Sequence, residues 1–429
     1  MLQMSVFKHT TSASSSSTAQ GVDTEPSKPS PITTEDDDGG NLQRKSVGNN
    51  NNSSINHSNA KASSSNEYNS TNNSNISISS SNTSSSGGSG ENNSRNVQDK
   101  ENINIKQTNS NNNVSFDVNS NNSNNNRQEI FSIDFSALSK SKQELIDLGY
   151  NIFEETGLVK DLDVNKETVY SYLEAVKESY RDNPFHSFKH AITVTQMIFI
   201  IFIKAKLLNI LTPIEKLSLI IASICHDLDH PALSNRFQIN MKSSLAQQYN
   251  NKSVLENHHL AVCIRILLEE NGQNLLRKLS DQEREQLYEK IKILILATDM
   301  ENHFNYKKQF DDILSSFSWE NTQHRDLLLI MLLKSADISN ELRSFEISNE
   351  WAHALMQEFF NQSDLEKENN LPLTPFMERE KVILNTTQIS FIDKFLLPSY
   401  NSLQTVLPPL EDFITRINEN RLLWEQSTN

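Results

Sequence analysis

TPIEKLSLIIASICHDLDHP, residues 212–231, decides how this chain is read. Thr212, then Pro213, then Glu215 at the third helical position, is a capping-box start with proline where its missing N–H costs nothing. Apolar residues then recur at helical spacing through EKLSLIIASI. The stretch ends in His226-Asp227, with His230 four residues after His226 and on the same face if the helix continues. A histidine beside a carboxylate can bind a divalent metal from one backbone segment, and the two oxygens of Asp227 can bridge to a second. A lone histidine in an apolar setting is more often a hydrogen-bonded core residue. The spacing here favours a metal-dependent hydrolase.

Upstream, HSFKH supplies His186 and His190, another i, i+4 pair, and downstream LKSADISN supplies Asp337. Two imidazoles and two carboxylates from separate segments make a borderline N/O site suited to zinc with magnesium or manganese. The helical spacing extends to KQELIDLGYNIF, VYSYLEAVKESY, AITVTQMIFIIFIKAKLLNIL, HHLAVCIRILLEE, EREQLYEKIKILILATDM, RDLLLIMLLKSADI and NEWAHALMQEFF. Breaks fall at Asn183-Pro184, Gly272, Leu371-Pro372, Thr374-Pro375 and Pro408-Pro409. No alternating strand pattern or repeat period competes. The expected fold class is all-α, a multi-helix bundle of a dozen or more helices with ligands converging from several of them.

Composition divides the chain near residue 128. From Asn41 to Asn126 more than half the residues are Asn or Ser, too little apolar surface to offset the entropy of ordering. Residues 1–128 are expected to be a disordered low-complexity region, and 129–429 a helical catalytic domain. A formal charge of −15 argues against nucleic acid or an anionic membrane as a partner. Only Cys225 and Cys263 occur, which argues for a reducing compartment. The N-terminus lacks a secretory h-region, so the cytosol is the expected location. MIFIIFI, residues 197–203, is too short to span a bilayer and reads as a buried helix.

Taken together, FHSFKHA (185–191), HDLDHPALSN (226–235), SVLENHH (253–259), LILATDMENH (294–303), SADISN (335–340), EFFNQSDLEK (358–367) and TTQISFIDKFLLP (386–398) resemble, in order, the motifs of class I cyclic-nucleotide phosphodiesterases. The wording is most similar to the type 9, cGMP-preferring branch, in ICHDLDHP, NRFQIN, DISNE with Arg343, and QSDLEK. The resemblance implies the all-helical HD-type catalytic fold, and hydrolysis of 3',5'-cyclic GMP to 5'-GMP by attack of a hydroxide held between two metals. One tight metal, usually zinc, would take His190, His226, Asp227 and Asp337. A second, usually magnesium or manganese, would take Asp227 and mostly water. His186 would protonate the departing O3′ as general acid, with Glu358 holding it protonated and oriented. Read without the resemblance, Glu358 is a solvated helix charge.

His230, Glu256, His259 and Thr298 would hydrogen-bond metal waters or fix ligand tautomers. His258 and His303 read equally well as structural partners. In the base pocket, Gln388 would read the purine edge with an amide that both donates and accepts. Phe391 would stack on the base, Leu355 would close the opposite wall with Phe359 one turn after it as a further substrate-binding residue, and Asn340 and Glu341 would form the rim on the base side. Without the resemblance, Phe391 and Leu355 are core residues. The chain departs from the family pattern at Phe185 for tyrosine, Ser187 for asparagine, Ser335 for cysteine, and Ala232 for a glycine. The last is harmless only if Ala232 keeps a negative φ. The expected partner is the small-molecule cyclic nucleotide, and a homodimer is allowed for. A cAMP-preferring or dual-specificity enzyme is the alternative. Another HD-type phosphohydrolase, or a catalytically dead nucleotide-binding regulator, would not need this full set of residues.

Overall fold

The computed structural model describes residues 127–427, and no β-strand occurs among them. The expected disordered region, 1–128, lies outside the described residues except for Arg127 and Gln128. These open a short helical turn, with Arg127 ion-paired to Glu154 and Glu155.

The helices that position the site are α1 (Lys142–Glu155), α2 (Lys166–Glu178), α3 (Phe188–Lys204), α4 (Pro213–Cys225), α5 (Val254–Leu268) and α6 (Asp281–Ala297). They are followed by α7 (Thr322–Asp337), α8 (Phe345–Glu368), α9 (Leu384–Phe391), α10 (Leu397–Val406) and α11 (Glu411–Gln426).

The capping box at Thr212 forms as the sequence predicts. The Thr212 hydroxyl accepts from the Glu215 amide, and the Glu215 carboxylate accepts from the Thr212 amide. From Glu215 to Cys225 every residue of α4 is buried. MIFIIFI lies in α3 with Met197 to Phe202 buried and Ile203 exposed at 41%, so it is a core helix with one open edge.

Helices α3, α4 and α7 pack on one another at the centre. Removing each of their Ile, Leu and Phe side chains from water contributes about 1.5–3 kcal/mol, before the opposing chain entropy. The start of α3, the end of α4 and the end of α7 meet at one end of this trio. That is where His190, His226 with Asp227, and Asp337 stand. Around the trio, α6 packs on α4, α5 and α7.

After α9 the chain passes through a π turn, Ile392–Leu396, into α10. Pro398 has no N–H to give an i→i−4 bond, and the wider turn absorbs that loss. No helix among the described residues is long and apolar enough to cross a membrane.

Candidate metal centre and nucleotide pocket

Each ligand in the predicted cluster is aimed by its backbone. The His226 Nδ1–H donates to the Ser223 carbonyl at 2.8 Å, one turn back on α4, which turns Nε2 toward the carboxylates. That Nε2 lies 3.2 Å from Asp227 Oδ2 and 3.2 Å from Asp337 Oδ1. His190 Nε2 lies 3.0 Å from Asp337 Oδ1 and 3.6 Å from Asp227 Oδ2. All four ligand atoms fall within 4.8 Å of one another. Tetrahedral bonds of about 2.0–2.1 Å separate ligand atoms by roughly 3.3 Å, so the donor set fits a zinc-like cation.

Burial opposes ionisation of Asp227 and Asp337, but His226 outweighs it and both carboxyls are held well below their usual range. Burial, helped by the neighbouring His226, pulls the His190 imidazole down against the two carboxylates. Asp227 and Asp337 hold His226 well above its usual value against burial, so a divalent cation bound between the two carboxylates would take the place of the proton on that ring.

Asp227 also belongs to a second group, with His230 and His259. Its Oδ1 lies 3.8 Å from His259 Nε2, and His259 Nδ1 donates to the Leu228 carbonyl at 2.6 Å. Burial lowers His259 to about 4, so it is a neutral ring near neutral pH. The two oxygens of Asp227 thus face two different donor groups, the arrangement expected of a bridging carboxylate.

Glu358 is not a solvated helix charge. It is 1% exposed on α8, and its Oε1 accepts the backbone N–H of Phe185 at 2.8 Å and of His186 at 2.9 Å. Its Oε2 meets His186 Nδ1 at 2.5 Å. Burial works against protonating His186, and the Glu358 carboxylate outweighs it, raising the ring above its usual value. Asn183 fixes the two motif segments together by donating from Nδ2 to both the His186 and His230 carbonyls, each at 2.7 Å.

The His186 ring stacks on His230, with centroids 4.1 Å apart. Burial and the neighbouring His186 push His230 well below its usual value, so Nδ1 is free to accept the Ala232 N–H at 3.0 Å. Here one expectation is corrected. Ala232 does not keep a negative φ: at +58° it sits in the left-handed region that the usual glycine enters without a Cβ penalty. The hydrogen bond to His230 requires that turn.

Glu256 accepts from Asn235 Nδ2 at 2.9 Å, and burial with nearby Asp299 raises it to about 7. Thr298 donates from its hydroxyl to the Ile295 carbonyl at 2.7 Å. Both line the cavity over the metal cluster, as do His186, His230 and His259. His258 lies to the side, 2.8 Å from Asp229. His303 is buried against Phe304 and Phe395 with neither ring nitrogen hydrogen-bonded among the described residues.

A second cavity adjoins the first and shares Phe185, Asp337, Ile338 and Leu355 with it. Gln388, Phe391, Asn340 and Glu341 all line it. The Gln388 amide has no partner among the described residues. Phe359 lies elsewhere: it is 1% exposed and lines neither cavity. Sequence reasoning passed over Trp351, which lines the second cavity with a buried Nε1–H lacking a partner among the described residues. Its only sequence signal is its place one helical turn before Leu355. Phe185 sets its ring against His190 and Trp351, at 4.6 and 5.4 Å between centroids.

The 3',5'-cyclic nucleotide phosphodiesterase family matches residues 185–417. The chain is 69% identical over 299 residues to the cGMP-specific 3',5'-cGMP phosphodiesterase 3 of Dictyostelium discoideum, a match covering 70% of this chain and 64% of that protein. It is 37% identical over 282 residues to the human high affinity cGMP-specific 3',5'-cyclic phosphodiesterase 9A, covering 66% of this chain and 46% of that protein. These matches therefore span less than two thirds of either relative. Among solved structures, the phosphodiesterase domain of the RhoPDE fusion protein from the choanoflagellate Salpingoeca rosetta is similar at a TM-score of 0.66. That match has 32% identity and covers 69% of this chain and 95% of the other. With more than half its length matched, ligand cluster included, the chain belongs to the 3',5'-cyclic nucleotide phosphodiesterase family.

Proposed function

We propose that the chain hydrolyses 3',5'-cyclic nucleotides to 5'-monophosphates and prefers cGMP. The observation that carries this reading is the buried His186–Glu358 pair beside the two-His, two-Asp cluster, in a cavity that adjoins a second one lined by an uncommitted amide and an aromatic ring. His190, His226, Asp227 and Asp337 would hold the tight cation, zinc by its donor set, and Asp227 would reach a magnesium or manganese ion beside it. Cations bound there would supply Lewis-acid polarisation of the phosphate and a water of lowered pKa.

His186 does the proton work. Its Nδ1 is engaged by Glu358, so Nε2 is the nitrogen that delivers a proton to O3′ as the ester bond breaks. Glu358 raises the hold of the ring on that proton and fixes the ring by anchoring to the backbone of the same turn. His230, His259, Glu256 and Thr298 hold the water and ligand positions around the cluster. Gln388 meets the purine edge while Phe391 stacks on its face and Leu355 closes the other side. The buried free cysteines and the acidic balance support a cytosolic enzyme whose partner is the small nucleotide.

The test is hydrolysis of cGMP and cAMP at low and high concentration, with magnesium or manganese, by the wild type, His186→Ala and Asp337→Ala. A strong cGMP preference and a loss of about 10²–10⁴-fold in turnover for His186→Ala are expected. Unchanged turnover in either variant would overturn the mechanism, and a cAMP preference would overturn the reading of the base pocket alone.

A further inference from the structure

The rim of the base cavity is held from behind by the last helix. Glu341 lines the cavity yet is 3% exposed, and its Oε2 accepts the indole N–H of Trp424 on α11 at 2.9 Å. One turn earlier on the same helix, Asn420 donates from Nδ2 to the carbonyls of Glu341 and Arg343, each at 2.8 Å. Both side chains are buried, at 2% for Trp424 and 4% for Asn420. The edge of the Trp424 ring packs on Phe345, at 4.9 Å between centroids, so the indole has little freedom to leave. The Ser348 hydroxyl on α8 also bears on the Glu341 carboxylate, and Trp424 supplies its N–H donor.

The chemistry of that carboxylate matters for the two purines. Burial raises this carboxyl above its usual range, while the hydrogen bonds from Ser348 and Trp424 favour its ionised form, which only accepts hydrogen bonds. Guanine presents two donors side by side, N1–H and its 2-amino group, where adenine presents the bare N1 acceptor. A fixed acceptor at the rim thus rewards guanine and leaves adenine with an unmatched lone pair. The same cavity is lined by Trp351, whose Nε1–H is a buried donor without a partner among the described residues that a base carbonyl could satisfy.

Resting on the phosphodiesterase reading above, we propose that Trp424 and Asn420 are positioning residues that fix Glu341 as a guanine-selecting acceptor, so that the C-terminal helix sets purine selectivity. Neither residue lines the cavity or touches the metal cluster. Their influence is exerted through the place and hydrogen-bonding state of one carboxylate.

The experiment measures kcat and KM for cGMP and cAMP on the full chain, comparing wild type, Trp424→Phe, Glu341→Gln and the double variant. Trp424→Phe keeps an aromatic ring against Phe345 and removes only the donor. It is expected to lower the cGMP to cAMP ratio of kcat/KM about ten-fold, chiefly through a higher KM for cGMP. Glu341→Gln should lower the ratio comparably, and adding Trp424→Phe to it should change the ratio by less than about two-fold, because the two act as a unit. A loss shared equally by both nucleotides, or effects of the two substitutions that multiply, would mean that Trp424 merely supports the fold and would overturn the proposal. If Trp424→Phe does not fold, Glu341→Gln decides: an unchanged ratio sinks the idea. Should the wild type turn over neither nucleotide, it is the proposed function that falls. Selectivity is then read from dissociation constants of the same variants, by the same criteria.

Discussion

A single backbone angle separates what spacing can reveal from what it cannot. The i, i+4 histidines and the His-Asp pair are visible in the sequence because helical periodicity alone brings them to one end of a core. The φ of Ala232 is not visible, because it is set by a bond to His230 Nδ1 that only the folded turn defines. That alanine stores strain of about 1–2 kcal/mol in the left-handed region. Ala232→Gly is therefore expected to raise stability by roughly 0.5–1 kcal/mol after the added flexibility of the unfolded chain is subtracted. An equilibrium urea titration reads this directly, and a drop in stability of that size would refute it. Glu358 gives a second case at the same scale. With Glu358→Gln the influence raising the His186 pKa is lost while burial, which lowers it, remains. A general acid works only while protonated, so the alkaline fall in kcat should move to lower pH, with kcat itself down about 10²-fold. The stability linkage has the same sign. Because the folded pKa is raised, the contribution of His186 is full below the pKa of a free imidazole and is lost as pH rises through the raised value. The advantage of wild type over the variant should shrink across that window. A pH–rate profile with an unmoved alkaline limb would leave Glu358 without its assigned role.

Among the elements, the central helices were legible and their fastening was not. The cap of α4, its apolar face and the helical reading of MIFIIFI all follow from side-chain types at fixed spacing. Several of the contacts that lock helices to one another run to backbone carbonyls, which look alike at every position of a sequence. Lys334, for example, sends its ammonium from α7 to the Ala297 carbonyl at the end of α6 at 2.7 Å, and burial lowers it to about 8. Asn183 does the same for the two histidine motifs. Phe359 shows the converse limit: a phenylalanine one turn beyond Leu355 could face pocket or core, and three-dimensional packing puts it in the core. Gly272 read as a chain break and turns out to be a contact point inside a short helix, Glu270–Leu275. A Cβ there would lie 2.3 Å from the Ile266 carbonyl oxygen and 2.3 Å from the Leu267 Cα, both backbone atoms at the end of α5. Nothing at that contact can rotate away. Gly272→Ala should therefore cost more than about 2 kcal/mol, where a free helical position would gain nearly 1 from the same change. Thermal unfolding of the variant separates the two, and a raised Tm would disprove the close approach.

At the scale of the molecule, the described chain begins with a segment latched into the centre of the fold. Gln196 on α3 donates from Nε2 to the Ile130 and Ser132 carbonyls, both at 2.9 Å. Arg343, which is fully buried, donates from Nη1 to the Phe135 carbonyl at 2.8 Å and the Ile133 carbonyl at 3.2 Å. Its Nη2 reaches the Thr193 carbonyl and Gln196 Oε1 at 3.0 and 2.9 Å. Burial pulls this guanidinium down to about 10, and no carboxylate forms an ion pair with it among the described residues. Its charge is compensated by carbonyl and amide dipoles, two of them on the segment 130–135, and it stands two residues from Glu341, which lines the second cavity. The compositional boundary near residue 128 thus falls just ahead of a structural latch that composition could not announce. A chain starting at Arg127 keeps every one of these bonds and is expected to match the full chain in stability and in kcat. A chain starting at Ala137 strips Arg343 of two acceptors and uncovers the buried side chains of Ile130 and Phe135. Leaving such a charge undercompensated costs about 3–5 kcal/mol, and each lost apolar side chain about 1.5–3 more. Urea midpoints for the two truncations decide the matter. Equal midpoints would mean that the 130–135 segment rests on the core without holding it. A large fall for the shorter chain alone, with a higher KM for cyclic nucleotide, would tie the latch to the loop that carries Asp337, Asn340 and Glu341.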